Sequence, residues 1–66
     1  MTKRQKEIFE YIKNYIEVNK YSPSFREVAD GVGIKSSSTI HTHLKKMKKD
    51  GYIDFVDTFP RTLQIV

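Results

Sequence analysis

The sequence predicts a small, mostly α-helical domain that ends in a β-hairpin. Two observations predict this fold class: apolar residues recur at helical spacing three times before Gly51, and they alternate with polar residues after it. The chain has 66 residues, which is room for one domain. We therefore expect residues 1–66 to form a single domain around a small core.

The first helix is predicted by a capping box and a long amphipathic pattern. Gln5 follows Thr2 at the spacing at which two side chains satisfy the free backbone N–H groups of a helix start. The apolar residues that follow at spacings of three and four are Ile8, Phe9, Ile12, Tyr15 and Ile16. We expect this helix to run from about Lys3 to Val18, because Pro23 then disfavours helical geometry in the residue before it.

The second helix is predicted to be short. Ser24 and Glu27 form another capping box, and Gly31 and Gly33 bracket the place where the helix ends. Its apolar residues occupy positions i, i+3, i+4 and i+7, and they are Phe25, Val28, Ala29 and Val32. We expect about two turns of helix here.

The third helix follows after a linker of only a few residues. Ser36 or Ser37 is expected to cap it and Gly51 to end it, so that it covers about residues 36–50. Its apolar stripe consists of Ile40, Leu44 and Met47. Two helices separated by so short a turn are typical of a helix-turn-helix, in which the second helix is free to lie in a groove.

After the third helix, the apolar residues recur at every second position instead of every third or fourth. Ile53 and Phe55 alternate with their neighbours, as do Leu63 and Ile65, so we expect two strands that flank a loop at residues 57–61. Three helices followed by a two-stranded antiparallel wing predict a winged helix-turn-helix.

Composition excludes several classes of protein. The absence of cysteine excludes disulfide frameworks, thiolate zinc sites and cysteine nucleophiles. His41 and His43 lie on different helix faces without an i+4 partner, and Asp54 and Asp57 make no credible carboxylate pair. We therefore expect no enzyme, metal site, cofactor or small-molecule ligand. Without a signal peptide or a long apolar run, a cytoplasmic protein that does not enter membranes is expected.

Positive charge is concentrated in the third helix. The formal net charge is +4, and the segment 35–50 contains five lysines and a single acidic residue. The side chains on the polar face of this helix are Ser38, His41, Thr42, Lys45 and Lys49. The hydroxyls can meet base edges, the methyl groups of Thr39 and Thr42 suit a thymine methyl, His41 can donate to guanine N7 or O6, and the lysines suit phosphates.

Other roles remain open for several of these residues. Ser36 suits a helix cap, and the lysines at 45–49 suit the C-terminal end of a helix. We expect His43 to be packed and hydrogen-bonded beside the apolar stripe, Arg26 and Asp30 to form a surface ion pair, and the tyrosines at 11, 15 and 21 to border the core. The alternative functions are a winged-helix module that binds an acidic protein and a nonspecific or RNA-binding domain, although no aromatic platform for stacking bases is evident.

Four segments carry a resemblance to a known family. They are residues 21–27 (YSPSFRE), 33–44 (GIKSSSTIHTHL), 51–53 (GYI) and 60–65 (PRTLQI). These segments closely resemble the N-terminal DNA-binding domain of LexA, the SOS-response repressor family, above all its Gram-positive members. The resemblance spans essentially the whole chain, and SSSTIHTHL is far more specific than a generic helix-turn-helix.

The resemblance implies a sequence-specific, double-stranded DNA-binding domain of a transcriptional repressor in the bacterial nucleoid. Family members bind palindromic operators as dimers, with the third helix in the major groove and the wing on the backbone or minor groove. The positions that match the family's base-reading residues are Ser38, Thr39, His41 and Thr42. The expected phosphate contacts are Ser36, Lys35, Lys45, Lys49 and, from the wing, Arg61.

The sequence departs from the family pattern in three respects. Asp54 and Phe55 stand where Gram-positive members often carry basic residues, and Thr62 replaces a small alanine. The Ser-Lys dyad of the family's dimerising, self-cleaving C-terminal domain has no counterpart in these residues. We therefore expect DNA binding, as a possible homodimer on DNA, without self-proteolysis.

Overall fold

A computed structural model describes the whole chain, Met1–Val66. The elements are α1 (Lys3–Asn19), α2 (Phe25–Val32), α3 (Ser37–Lys49), β1 (Ile53–Asp54) and β2 (Gln64–Ile65). The strands pair antiparallel, with Ile53 opposite Ile65. The structure thus confirms the predicted mostly helical fold with a two-stranded wing. None of the three helices combines the length and apolarity needed to span a bilayer.

The helix starts are confirmed by their caps. Thr2 with Gln5 and Ser24 with Glu27 form both halves of a capping box. Ser36 caps α3, because its hydroxyl oxygen accepts a backbone N–H three residues further on at 3.3 Å. Each cap satisfies N–H groups that have no partner inside the helix.

The core forms where one face of each helix meets the wing. Its buried side chains are Ile8, Ile12, Val28, Ala29, Ile34, Ile40, Leu44, Met47, Ile53, Phe55 and Leu63. Full burial of one such aliphatic side chain is worth about 1.5–3 kcal/mol. The predicted stripe of α3 is entirely buried, so the opposite side of that helix faces solvent.

The turn between α2 and α3 is anchored to the end of α2 and to the core. Gly33 ends α2 in the left-handed region, with φ of 76°, which costs glycine little. The Ile34 N–H then donates to the Ala29 carbonyl oxygen at 2.8 Å, and the Ile34 side chain is buried. These contacts set the position of α3 relative to α2.

The wing, residues 53–65, has shorter strands than the sequence predicts. Each strand has two residues, and Phe55 is buried without belonging to a strand. Thr62 explains the difference: its hydroxyl oxygen accepts the Val56 N–H at 2.8 Å and lies 3.1 Å from the carbonyl oxygens of Val56 and Phe59. Side-chain hydrogen bonds therefore hold the wing loop where a longer strand ladder was expected.

Two contacts predicted from the sequence are wrong. Arg26 and Asp30 are both exposed and form no ion pair, since a basic residue ahead of an acidic one is the weaker order on a helix and exposed pairs gain little. His43 is half-buried but makes no hydrogen bond. Its nitrogens are not buried, so water can satisfy them.

Candidate nucleic-acid interface

The exposed side of α3 begins with a group of small hydroxyls. Ser38, Thr39 and Thr42 are exposed, whereas His41 is half-buried. The hydroxyls of Ser38 and Thr39 have no hydrogen-bond partner in the protein, so each is free to donate or accept. Thr42 instead donates its hydroxyl proton to the Ser38 carbonyl oxygen at 2.9 Å. Thr42 therefore offers lone pairs and a methyl group to a ligand, but not a proton.

Ser36 and Lys35 lie at the N-terminal end of α3, and both are exposed. The cap role of Ser36 is confirmed by its hydrogen bond to the first turn of the helix. Its phosphate contact stays a prediction. The free N–H groups and the positive end of the helix dipole also attract an anion at this position.

The structure divides the four lysines of α3 into two pairs. Lys46 Nζ lies 3.2 Å from the Asp50 carboxylate, and Lys48 Nζ lies 3.6 Å from that of Asp54. The Lys48 ammonium group also donates to a carbonyl oxygen of the wing at 2.6 Å. The lysines without an anionic partner are Lys45 and Lys49. Those two are the residues predicted to contact phosphate.

His41 lies between α3 and the wing. Its Nε2 is 3.2 Å from Oδ1 of Asp57 in the wing loop. The imidazole packs against Phe25 and Phe55, at 5.6 and 6.5 Å between ring centroids. The two phenylalanines are themselves an edge-to-face pair at 5.0 Å, and they join the start of α2 to the wing. A side chain predicted to read bases is thus held by three partners that sequence reasoning did not identify.

Asp57 is the main feature of this surface that the sequence did not predict. It lines a cleft of about 330 Å³ at the hydroxyl end of α3 and another of about 290 Å³ at the lysine end. The other residues of the first cleft are Phe25, Ser37, Ser38 and His41, and those of the second are Lys45, Lys48, Lys49 and Phe55. A carboxylate therefore lies in the middle of a face that otherwise carries hydroxyl and ammonium groups.

Arg61, the predicted wing contact, turns back toward the helices. Its Nη1 lies 2.8 Å from Glu27 Oε1 and donates to the Ser22 carbonyl oxygen at 3.1 Å. Its guanidinium lies 5.3 Å from the centroid of the Tyr21 ring. The Arg61 side chain is 45% exposed, so it remains accessible from solvent.

The Glu27–Arg61 contact changes the ionisation of both groups. The backbone N–H of Ser24 and the Arg61 guanidinium both hydrogen-bond the Glu27 carboxylate and lower its pKa to about 2. Glu27 in turn raises the pKa of Arg61. Both groups are therefore charged throughout the neutral range.

Comparison with known sequences supplies the family. A family profile described as the LexA DNA binding domain matches residues 1–62. The chain belongs to this family. The LexA repressors of Staphylococcus haemolyticus and Staphylococcus aureus (strain N315) are each 47% identical to it, and that of Staphylococcus carnosus is 48% identical. Each match covers the whole chain but only 32% of the relative, so the chain spans about a third of the length of these LexA repressors.

The LexA match includes every residue discussed as a candidate contact. Residues 1–62 contain all three helices, the unpaired lysines of α3 and the wing loop with Asp57 and Arg61. The family assignment and the exposed face of α3 therefore concern the same part of the molecule.

Proposed function

We propose that this chain is the sequence-specific, double-stranded DNA-binding domain of a LexA-like transcriptional repressor. The observation that carries the proposal is the exposed side of α3, which has free hydroxyls at its start and the unpaired Lys45 and Lys49 toward its end. The buried stripe behind it fixes the helix on the domain, so α3 can enter the major groove as a rigid element. Membership of the LexA family supports the same role.

The candidate contact residues have two different tasks in this proposal. The residues that read bases are Ser38, Thr39, His41 and Thr42. The residues that contact phosphates are Ser36, Lys35, Lys45, Lys49 and Arg61. Base contacts discriminate between sequences, whereas phosphate contacts set position and total affinity. Arg61 keeps its contact with Glu27 and offers phosphate only the exposed side of its guanidinium.

Two copies on a palindrome complete the proposed mode of binding. One domain of this size neutralises only a few phosphates, so its binding to a single half-site is weak and sensitive to salt. Two copies bound to one duplex in successive major grooves, about one helical turn apart, would bind far more tightly than a single copy binds to a half-site. The role proposed for this domain is binding and not catalysis.

Selection from a random duplex library tests the proposal directly. The 66-residue chain is incubated with the library, the bound pool is sequenced, and the enriched duplex is titrated at several salt concentrations. We expect a palindrome with half-sites about one helical turn apart. Lys13→Ala, at an exposed residue of α1 outside this face, is the matched control and should enrich the same site. A salt-dependent background without enrichment would contradict the proposal and direct attention to an acidic protein partner.

A further inference from the structure

The His41–Asp57 contact bears on which imidazole nitrogen carries a proton when the ring is neutral. Asp57 Oδ1 lies 3.2 Å from His41 Nε2, and an ionised carboxylate can only accept a hydrogen bond. In the neutral ring this contact favours the tautomer that carries its proton on Nε2. Nδ1 is then a bare acceptor.

Nδ1 of His41 is available to a ligand. This atom has no hydrogen-bond partner in the protein, whereas every buried side-chain nitrogen or oxygen atom has one. It follows that Nδ1 is accessible to solvent. Phe25 and Phe55 pack against the ring and oppose its rotation, so its orientation is set by the wing as well as by α3.

We propose that Asp57 is a specificity-determining residue that positions His41 as a hydrogen-bond acceptor. The inference rests on the proposed function and names the chemistry that His41 reads. In the major groove, the amino groups of cytosine N4 and adenine N6 are donors, whereas guanine N7 and O6 are acceptors. A bare Nδ1 pairs with an amino group and is repelled by the guanine edge. This reverses the donation to guanine that the imidazole alone suggests.

The charge of Asp57 acts in the same direction. The carboxylate lines the cleft at the hydroxyl end of α3 together with His41, and it too prefers an amino donor to the acceptor edge of guanine. It also repels phosphate, which lowers affinity for every duplex. Asp57 thus lowers total affinity and increases discrimination.

The first test uses the free protein and needs no DNA. Long-range proton–nitrogen correlation spectra of the neutral rings report the tautomer of each histidine. His43 makes no hydrogen bond, so it is an internal reference for an unrestrained imidazole. We expect His41 to show more of the Nε2–H form than His43 does, and Asp57→Ala to make the two rings alike. Equal tautomer ratios for the two rings in the wild type would overturn the inference.

The second test uses modified duplexes. Selections with the wild type and His41→Ala locate the base pair whose preference depends on His41. At that pair, one analogue removes the amino group of cytosine or adenine, and another replaces the purine N7 by carbon. We expect the first analogue to weaken wild-type binding about fivefold and to leave His41→Ala unchanged. A His41-dependent loss with the second analogue instead would overturn the inference.

Variants of the wing separate positioning from charge. Asp57→Asn retains an acceptor oxygen, so it should keep the dependence on the amino group while binding all duplexes more tightly. Asp57→Ala should lose that dependence. Asp54→Asn removes the other wing carboxylate without touching His41, so it should leave base preference unchanged. A library that enriches no duplex would contradict the proposed function, whereas an enriched palindrome with no amino dependence would contradict only the inference about Asp57.

Discussion

The carboxylate of Glu27, at the start of α2, lies 2.8 Å from the guanidinium of Arg61, at the end of the wing loop. Glu27 also accepts the Ser24 N–H at 2.8 Å, so one carboxylate caps a helix and holds the wing. Arg61 needs a left-handed backbone, with φ of 58°, at this position. The contact therefore couples the geometry of the wing to the first turn of α2.

Glu27→Gln is expected to reduce the acid sensitivity of the fold. Because the pKa of Glu27 is about 2 in the folded protein and about 4.3 in an unfolded chain, the unfolded state binds more protons between these values. The stabilisation is fully present above the unfolded pKa and is lost as the pH falls toward the folded pKa. Glutamine can still complete the capping box, so the variant removes mainly the charge.

Urea titrations across this pH range measure the effect. The wild type should have a larger free energy of unfolding than Glu27→Gln at neutral pH, and the difference should shrink as the pH approaches about 2. Glu17→Gln, at an exposed residue without an ion pair, is the control and should leave the pH profile unchanged. A difference that stays constant with pH would show that the charge of Glu27 contributes nothing.

His41→Ala is expected to lower the preference for the selected half-site. A single hydrogen bond from the imidazole is worth about 0.5–1.5 kcal/mol, and this loss should appear on the selected duplex but not on a scrambled one. Titrations of both duplexes at one salt concentration measure the ratio. Equal losses on the two duplexes would remove His41 from the base-reading set.

Lys49→Ala and Lys46→Ala are expected to differ although both remove one positive charge from α3. Lys49 has no anionic partner, so its loss should weaken all duplexes alike and reduce the slope of log affinity against log salt by about 0.9. Lys46 is paired with Asp50 at 3.2 Å, so its loss should change the slope less. Identical slopes for the two variants would contradict the division of the lysines.

Gly31→Ala is expected to destabilise the domain even though alanine favours helix. A Cβ atom at Gly31 would overlap the Tyr11 ring, which marks a close approach of α2 to α1. We expect a cost of about 1–3 kcal/mol, as for other overpacked sites. In a Tyr11→Ala background the same change should instead stabilise the fold by about 1 kcal/mol, because the overlap is gone and the helix propensity remains. Thermal unfolding of the four proteins would reveal this reversal of sign, and its absence would refute the steric account.

Thr62→Val is expected to loosen the wing. Valine has the same shape but cannot accept the Val56 N–H, so the loop loses hydrogen bonds worth about 0.5–1.5 kcal/mol each. Faster hydrogen exchange at Val56, with unchanged exchange in α1, would identify the effect as local. Thr62→Ser keeps the hydroxyl and should preserve the slow exchange.

Local features of the fold could be predicted from the sequence because they act over a few residues. The caps at Thr2, Ser24 and Ser36 depend on side chains three positions from the groups they satisfy, and the buried stripe of α3 follows from helical period alone. The exposed hydroxyls and lysines of α3 followed from the same period. Their roles in DNA binding stay predictions.

The contacts of the wing could not be predicted in this way. Asp57 meets His41, and Arg61 meets Glu27, only because the wing packs against α2 and α3. No spacing in the chain encodes such pairs. The alternating pattern around Phe55 also predicted strands that are too long. Alternation does not show which backbone groups a hydroxyl such as that of Thr62 will satisfy.

The side chains that hold the wing loop lie at its two sides and not at its tip. Asp57, Arg61 and Thr62 bond to neighbouring elements or across the loop, whereas the side chains of residues 58–60 form no hydrogen bond or ion pair. The position of the loop therefore depends on the residues at its two sides and not on the identity of the three side chains between them. Exchange of these three side chains is therefore expected to leave the fold intact, because the residues on either side of them keep the loop in place.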